Sequence, residues 1–173
     1  MDKSFARNAQ ECNRLGIPLG AYWFSYALTA EDAKKEAQYC LAAVKRYRLE
    51  YPVFYDLEYA SVGYAAKHGV TIDKKLATQM ALAFCSEIGK ARYYASNYCN
   101  LDYAQNMFGQ EVFDRFDFWF ASYRSTCSRR DAGLWQYSDK GRISGISGNA
   151  DVDLDYSFKN YPEIIKKAGL NGL

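Results

Sequence analysis

Residues 52–59 read Pro52-Val53-Phe54-Tyr55-Asp56-Leu57-Glu58-Tyr59, a short apolar run of the kind that forms a buried β-strand, ending in two carboxylates. Successive side chains of a strand alternate between its faces, so Asp56 and Glu58 are predicted to project together, with their α-carbons about 6.6 Å apart. Like charges this close raise the pKa of one carboxyl group, which can then hold a proton near neutral pH and donate it to a leaving group. The stretch therefore predicts acid chemistry at a strand end, although an isolated Asp-x-Glu is more often only a solvated terminus.

Aromatic side chains favour the chemical interpretation. The chain has 16 Tyr, 10 Phe and 3 Trp, and several of them fall at the ends of other strand-like runs. Carbohydrate sites use such rings, because their apolar faces stack on sugars while their polar tips bond hydroxyl groups.

Size and charge narrow the class of protein. A chain of 173 residues with 49% hydrophobic content can bury one core, so we expect a single domain over residues 1–173. The net charge of +2 and the single basic pair Arg129-Arg130 are too weak to predict nucleic-acid binding. The absence of an apolar run of about 18 residues predicts no membrane span. Residues 1–4 show no signal-peptide pattern, which leaves the localisation open.

Cysteine and histidine usage argues against metal and cofactor chemistry. The five cysteines have irregular spacing without a Cys-x-x-Cys pair and are expected to be mostly buried and reduced. The single histidine, His68, has no second histidine for a zinc site and no neighbouring nucleophile to activate. We therefore expect neither a metal ion nor a cofactor.

Hydrophobic periodicity predicts alternating helices and strands. Helices are predicted over 4–15, from Thr29 to about Tyr47, from near Thr71 to Gly89, and over 101–107. Strands are predicted over 17–26, 52–59, 91–96, 116–121, 133–138 and 150–156, with a Gly/Ser-rich connection and no helix between the last two. This order predicts a largely parallel sheet of barrel type, whose site lies at the carboxyl ends of the strands.

The amino-terminal part of this pattern differs from that of a complete barrel. A barrel of βα units begins with a strand and closes with eight, whereas this chain begins with a helix and offers about six strands. We therefore expect an amino-terminally truncated barrel, whose unpaired edges favour a homodimer or a wall supplied by another chain.

Five motifs together resemble glycoside hydrolase family 25, the lysozymes that cleave peptidoglycan between N-acetylmuramic acid and N-acetylglucosamine. The resemblance covers nearly the whole chain and keeps the family's order. The motifs are Gly16-Ile17-Pro18-Leu19-Gly20-Ala21-Tyr22-Trp23-Phe24, Tyr55-Asp56-Leu57-Glu58, Trp119-Phe120-Ala121-Ser122-Tyr123, Trp135-Gln136-Tyr137-Ser138 and Gly145-Ile146-Ser147-Gly148-Asn149-Ala150-Asp151. The resemblance implies an irregular (β/α)5β3 barrel, and peptidoglycan glycan strands as the partner. The sequence differs from the family pattern at its amino-terminal end, where the family's first strand with its additional acid is not found.

The resemblance also implies roles for individual residues. It makes Glu58 the general acid, Asp56 a group that stabilises the transition state or orients the substrate, and Asp151 the acid of the last strand. The last assignment rests on the distance from Gly148 and stays open between Asp151 and Asp153. The implied substrate-binding residues are Tyr22, Phe24, Tyr94, Trp119, Tyr123, Trp135 and Gln136.

The sequence leaves two alternatives open. A catalytically impaired remnant that only binds cell-wall glycan would keep the aromatic groove, and the acid missing from the front favours it. A chitinase-type barrel glycosidase also uses closely spaced acids on one strand, but the longer Asp-x-x-Asp-x-Asp-x-Glu series of those enzymes is not found here.

Overall fold

The computed structural model describes residues 2–146 and 151–173. Four positions of the Gly145–Asp151 motif, 147–150, lie outside the described residues, as does the first position of the strand predicted over 150–156.

A six-stranded sheet forms the centre of the molecule, with its strands in sequence order. Strands β1 to β5 run parallel, and β6 is antiparallel to β5, which agrees with a direct connection between these two strands. The strands are β1 (Ala21–Phe24), β2 (Val53–Asp56), β3 (Ala95–Asn100), β4 (Asp117–Ala121), β5 (Leu134–Gly141) and β6 (Val152–Ser157).

The sheet is strongly curled. Neighbouring strands lie about 4.8 Å apart, so β1 and β4 would be about 14 Å apart in a flat sheet. The ring centroids of Tyr22 on β1 and Trp119 on β4 are nevertheless only 6.5 Å apart. The sheet therefore has a concave face, and the described strands form part of a barrel wall. No strand of the described residues pairs with the outer edge of β1.

The helices pack mainly on the convex face. They are α1 (Phe5–Leu15), α2 (Ala30–Val44), α3 (Tyr59–Lys67), α4 (Lys74–Lys90), α5 (Gln110–Arg115) and α6 (Tyr161–Lys167), with a short π-helix at Tyr103–Met107. Two predicted boundaries are confirmed. Gly16 ends α1 in the left-handed conformation (φ 69°), and the Thr29 side chain caps α2 by accepting from the backbone N–H of Asp32.

Alternation along the strands divides the core into two parts. Val53, Tyr55 and Leu57 face the helices and belong to the main core with α2 and α4. Phe54 faces the concave side, where it packs with Leu134 of β5 and with Tyr161 and Ile165 of α6.

Several predicted elements are corrected. Helices α3, α5 and α6 were not predicted, and α6 follows the point where no further helix was expected. Helix α4 begins after Asp73, whose side chain caps it, instead of near Thr71. The strand predicted over 91–96 covers Ala95–Asn100, because α4 continues to Lys90 and Arg92 turns the chain at φ 63°.

Two further expectations concern the chain as a whole. Among the described helices, none has the length and apolarity to cross a bilayer. All five cysteines are free, and four of them are buried. Association through the outer edge of β1 stays a prediction.

Candidate active site at the strand ends

Asp56 and Glu58 lie at the carboxyl end of β2. Asp56 is the last residue of the strand and is only 5% exposed, whereas Glu58 is half-buried and forms the N-cap position of α3. The backbone N–H of Glu58 donates to Ser61 Oγ at 3.2 Å, which fixes the entry into the helix. The change from strand to helix thus occurs at the second carboxylate.

The two carboxyl groups are electrostatically coupled. Burial raises the pKa of Asp56, and the charge of Glu58 raises it further. Burial also raises the pKa of Glu58, with a smaller contribution from the charge of Asp153, while a hydrogen bond with Asp56 lowers it. These shifts favour one proton shared by the pair near neutral pH, held more strongly by Asp56.

A cavity of about 290 Å³ opens beside Glu58. It lies above the ends of β2, β3 and β4, and Glu58 lines it whereas Asp56 does not. Its lining residues are Leu57, Glu58, Tyr59, Tyr98, Cys99, Asn100, Tyr103, Ala121, Ser122 and Tyr123.

Gln136 organises one wall of the cavity. It is 3% exposed, and its Oε1 atom accepts hydrogen bonds from the hydroxyl groups of Tyr98 at 3.0 Å and Tyr123 at 2.9 Å. A tyrosine hydroxyl has one proton, so both groups keep only acceptor lone pairs for any further partner. This wall therefore suits a ligand that donates hydrogen bonds.

Trp119 lies on the concave face, next to the acid pair. Its ring contacts Phe54, Tyr98 and Tyr22 at centroid distances of 5.2, 4.9 and 6.5 Å, and its Nε1–H donates to Asp155 Oδ1 at 2.7 Å. Loss of water around its carboxyl group raises the pKa of Asp155 to about 6. The indole is therefore fixed in orientation as part of the groove wall.

The last strand brings Asp153 towards the acid pair. The Asp153 carboxylate contributes to the raised pKa of Glu58, and also to the raised pKa values of Tyr22, Tyr98 and Tyr123. Asp151 precedes β6, is exposed and forms an ion pair with Arg142. Of the two candidates left open by the sequence, Asp153 has the electrostatic contact with Glu58.

Tyr22 and Phe24 of β1 also lie on the concave face. Burial raises the pKa of Tyr22, and the nearby charges of Asp56 and Asp153 add to this shift. Phe24 is the register partner of Asp56. Both side chains therefore flank the acid pair, and their role in substrate binding stays a prediction.

Tyr94 and Trp135 lie elsewhere. The Tyr94 hydroxyl donates to Asp117 Oδ2 at 2.6 Å at the amino-terminal end of the sheet, away from the carboxyl ends that carry the acids. Trp135 faces the helices in the main core, where its indole donates to the carbonyl oxygen of Ser122 at 2.8 Å. The structure does not bring these two side chains to the cavity.

The described residues contain no cluster of three or more His, Cys, Asp or Glu side chains arranged to hold a metal ion. The groups assembled at the strand ends are carboxylates, phenol hydroxyls, the Ser122 hydroxyl and the amides of Asn100 and Gln136. This set can transfer protons and bind a ligand with polar groups.

The model of the family Glycosyl hydrolases family 25 matches residues 1–146. The chain belongs to this family. A search among curated proteins gave no match.

Solved structures of two endolysins and one autolysin share the fold. The CTP1L endolysin is 22% identical with a TM-score of 0.77, and the match covers 96% of this chain and 56% of that one. The modular autolysin LytC from Streptococcus pneumoniae is 27% identical with a TM-score of 0.74, covering 90% and 38%. The catalytic domain of endolysin ply40 from bacteriophage P40 of Listeria monocytogenes is 19% identical with a TM-score of 0.72, covering 95% and 79%. The chain thus spans little more than half of the first of these proteins and less than half of the second.

Four residues that line the cavity of this family member were not predicted as site residues. They are Tyr59, Tyr98, Asn100 and Tyr103. A signal for two of them was present, because Tyr98 and Asn100 alternate in the run Ala95–Asn100, as Asp56 and Glu58 do on the neighbouring stretch. The strand was predicted over 91–96 but covers Ala95–Asn100, and this displacement of four residues concealed the signal. Tyr59 and Tyr103 lie on helical segments that strand alternation cannot reveal.

Proposed function

We propose that this chain is a peptidoglycan hydrolase that cleaves the β-1,4 bond between N-acetylmuramic acid and N-acetylglucosamine. Membership of the family and the likeness to an autolysin and to endolysins support the substrate class. The single observation that carries the proposal is the coupled Asp56–Glu58 pair at the border of a cavity lined by tyrosines.

Glu58 is the proton donor in this proposal. The buried pair retains one proton near neutral pH, but Asp56 is almost inaccessible and Glu58 lines the cavity. The proton therefore reaches the glycosidic oxygen through Glu58, as general acid catalysis requires contact with the leaving group.

The remaining charge has a role after proton transfer. Once the pair has given up its proton, the two carboxylates of Asp56 and Glu58 favour the positive charge that develops on the sugar ring. Asp153, which we assign as the last-strand acid in place of Asp151, adds negative charge close enough to raise the pKa of Glu58.

The walls of the cavity suit an acetamido sugar. Tyr98 and Tyr123 present acceptor lone pairs, which match the N–H of an acetamido group and the hydroxyl groups of the ring. Trp119, Tyr22 and Phe24 supply apolar faces beside them. Tyr94 and Trp135 have no place in this arrangement.

The finer architecture belongs to the same proposal. The parallel strands, the late antiparallel pair β5–β6 and the strong curl support an irregular (β/α)5β3 barrel as the architecture to which this sheet belongs.

Reducing-sugar release from purified peptidoglycan tests the function. We expect release by the chain, and loss of at least about a hundredfold in Glu58→Gln, since general acid catalysis contributes about 10²–10⁴-fold. Glu31→Gln, an exposed glutamate in the first turn of α2, is the matched control and should keep full activity. Borohydride reduction of the product, followed by sugar analysis, identifies the new reducing end as muramic acid or glucosamine.

The glycan-binding alternative gives a different result. Saturable binding of glycan fragments by a folded chain that releases no reducing ends would refute hydrolysis and support a binding remnant. A new reducing end on glucosamine would refute the proposed bond, and preference for chitin over peptidoglycan would favour a chitinase-type enzyme.

A further inference from the structure

A row of aromatic rings leads away from the acid pair on the side opposite the cavity. Phe24 and Tyr26 at the end of β1 have centroids 5.3 Å apart, Tyr26 and Tyr64 of α3 are 5.0 Å apart, and Tyr64 and His68 are 4.2 Å apart. These four side chains, Phe24, Tyr26, Tyr64 and His68, are called the aromatic strip below. Tyr26, Tyr64 and His68 have no part in the arrangement proposed above.

The strip lies at the surface. Tyr26 is 52% exposed and Tyr64 is 37% exposed, although each ring contacts its neighbours in the row. Contiguous exposed aromatic surface differs from single exposed rings, because it usually marks a binding site. Packing of the helices does not require these rings, since the main core is formed by other residues.

The strip continues the groove. Phe24 pairs in register with Asp56 and follows Tyr22 on the same face of β1, and the ring of Tyr22 contacts that of Trp119 on the concave face. An aromatic surface therefore runs from Trp119 past the acid pair to α3.

The order of the strands fixes the relation to the acid. The sheet order is β1-β2-β3-β4, and Glu58 follows β2. The cavity lies over the ends of β2, β3 and β4, whereas the strip extends from the end of β1 to α3. Glu58 is thus between the two surfaces. Since a glycosidic bond has a sugar on each side, an acid that protonates it needs a binding surface on both sides.

We propose that the aromatic strip binds the glycan strand on the side of the scissile bond opposite the cavity. This inference rests on the proposed function, because it takes the cavity as the site of the sugars on the first side. The chemistry of the strip fits the pyranose rings of a glycan chain, since its four side chains offer ring faces, two hydroxyl groups and one imidazole but no carboxylate or ammonium group. Longer glycan chains should therefore bind through Tyr26 and Tyr64, and a single disaccharide should not need them.

Binding measured in a Glu58→Gln background tests this without interference from cleavage. The probes are a single disaccharide unit and longer soluble fragments prepared from peptidoglycan, with affinity measured by calorimetry. We expect Tyr26→Ala and Tyr64→Ala each to weaken binding of the longer fragments roughly tenfold, equivalent to about 1.4 kcal/mol. Binding of the disaccharide should be unchanged, and Tyr26→Phe, which keeps the ring, should lie close to the parent.

Tyr39→Ala is the matched control. Tyr39 is 66% exposed on α2, outside the strip, and its replacement should have no effect. Unchanged affinity for the longer fragments in both strip variants, or an equal loss in Tyr39→Ala, would overturn the inference. If Tyr64→Ala fails to fold, the more exposed Tyr26→Ala alone decides it.

The two proposals fail in different ways. Length-dependent binding through Tyr26 in a protein whose parent chain releases no reducing sugar would refute hydrolysis and keep the strip. Cleavage of peptidoglycan by the parent, with no effect of the strip variants on binding, would refute glycan binding by the strip and leave the proposed hydrolysis standing. Absence of binding to any fragment would refute the proposal that the aromatic strip binds the glycan strand.

Discussion

Asp56 is a carboxyl group in an environment that disfavours its charge. It is 5% exposed, and its Oδ1 atom has no hydrogen-bond partner among the described residues. Burial and the neighbouring charge of Glu58 raise its pKa in the folded protein above the ordinary value of 3.8. The folded state therefore keeps a proton that the unfolded chain releases, so this group makes the protein less stable as the pH rises above about 4.

Asp56→Asn replaces this group with one that stays neutral. We expect the free energy of unfolding of the variant to exceed that of the parent by a margin that grows from acid to mildly alkaline pH. Each unit by which folding raises the pKa of Asp56 corresponds to about 1.4 kcal/mol of this margin. Urea unfolding across this pH range measures it, with the exposed Asp114→Asn as the control. Parallel stability curves for Asp56→Asn and the parent would contradict the prediction.

At single positions, the sequence was sufficient to predict where a side chain lies when the alternation of side chains along one strand decides it. Asp56 and Glu58 come together because only one residue separates them. The placement of Trp135 could not be predicted in this way. The face of the sheet on which it lies depends on the register of β5 against β4, where it pairs with Phe120 on the helix side. Asp151 and Asp153 differ by two positions and would share one face of a regular strand, so spacing alone could not choose between them.

At the scale of elements, α2 is joined to the end of β1 by a buried polar network. Ser25 Oγ donates to Glu36 Oε2 at 2.6 Å and accepts from the hydroxyl of the fully buried Tyr55 at 3.1 Å. The backbone N–H of Ser25 donates to the carbonyl oxygen of Asp56 at 2.8 Å. The network thus holds the strand that carries Asp56 against the helix layer.

Ser25→Ala breaks this connection. The hydroxyl of Tyr55 and one oxygen of Glu36 lose a partner, and an unsatisfied buried group costs about 1–3 kcal/mol. We expect the free energy of unfolding to fall by about that amount, measured by denaturant titration. Ser125→Ala, at an exposed position, should be neutral. A similar stability for both variants would show that the network contributes nothing.

Helix α3 shows why some elements escaped prediction. It begins directly after Glu58, and its sequence, Tyr59–Lys67, has neither a Ser, Thr, Asp or Asn at the N-cap nor a clear apolar stripe. Its residues Ser61 and Ala65 are buried, and Ala65 belongs to the main core. Tertiary packing, which a single sequence does not display, fixes this helix.

For the whole molecule, the βα alternation was enough to predict a parallel sheet, but the curl arises from contacts between distant strands. Tyr22 and Trp119 are 97 positions apart in sequence and meet only when the wall bends. The shape of the groove therefore depends on long-range packing. The same is true of the closing contacts at the carboxyl terminus, which the sequence did not indicate.

Asn171 makes the most extensive of these contacts. It is 2% exposed, its Nδ2 donates to the carbonyl oxygens of Leu49 and Tyr51 at 3.0 Å each, and its Oδ1 accepts from the backbone N–H of Tyr94 at 2.7 Å. Its φ of 56° is in the left-handed region, which Asn tolerates better than most residues. One side chain thus joins the carboxyl terminus to the segments that enter β2 and β3.

Asn171→Ala would leave three backbone groups without this partner and place alanine in a strained conformation. We expect the free energy of unfolding to fall by at least about 2 kcal/mol. The exposed Asn106→Ala on the π-helix should cost much less. Because the lost bonds join the terminus to two central strands, the whole sheet should unfold at lower denaturant in one transition. Separate melting of α6 alone, with the unfolding of the sheet unchanged, would show that the terminus is only attached to the wall and does not support it.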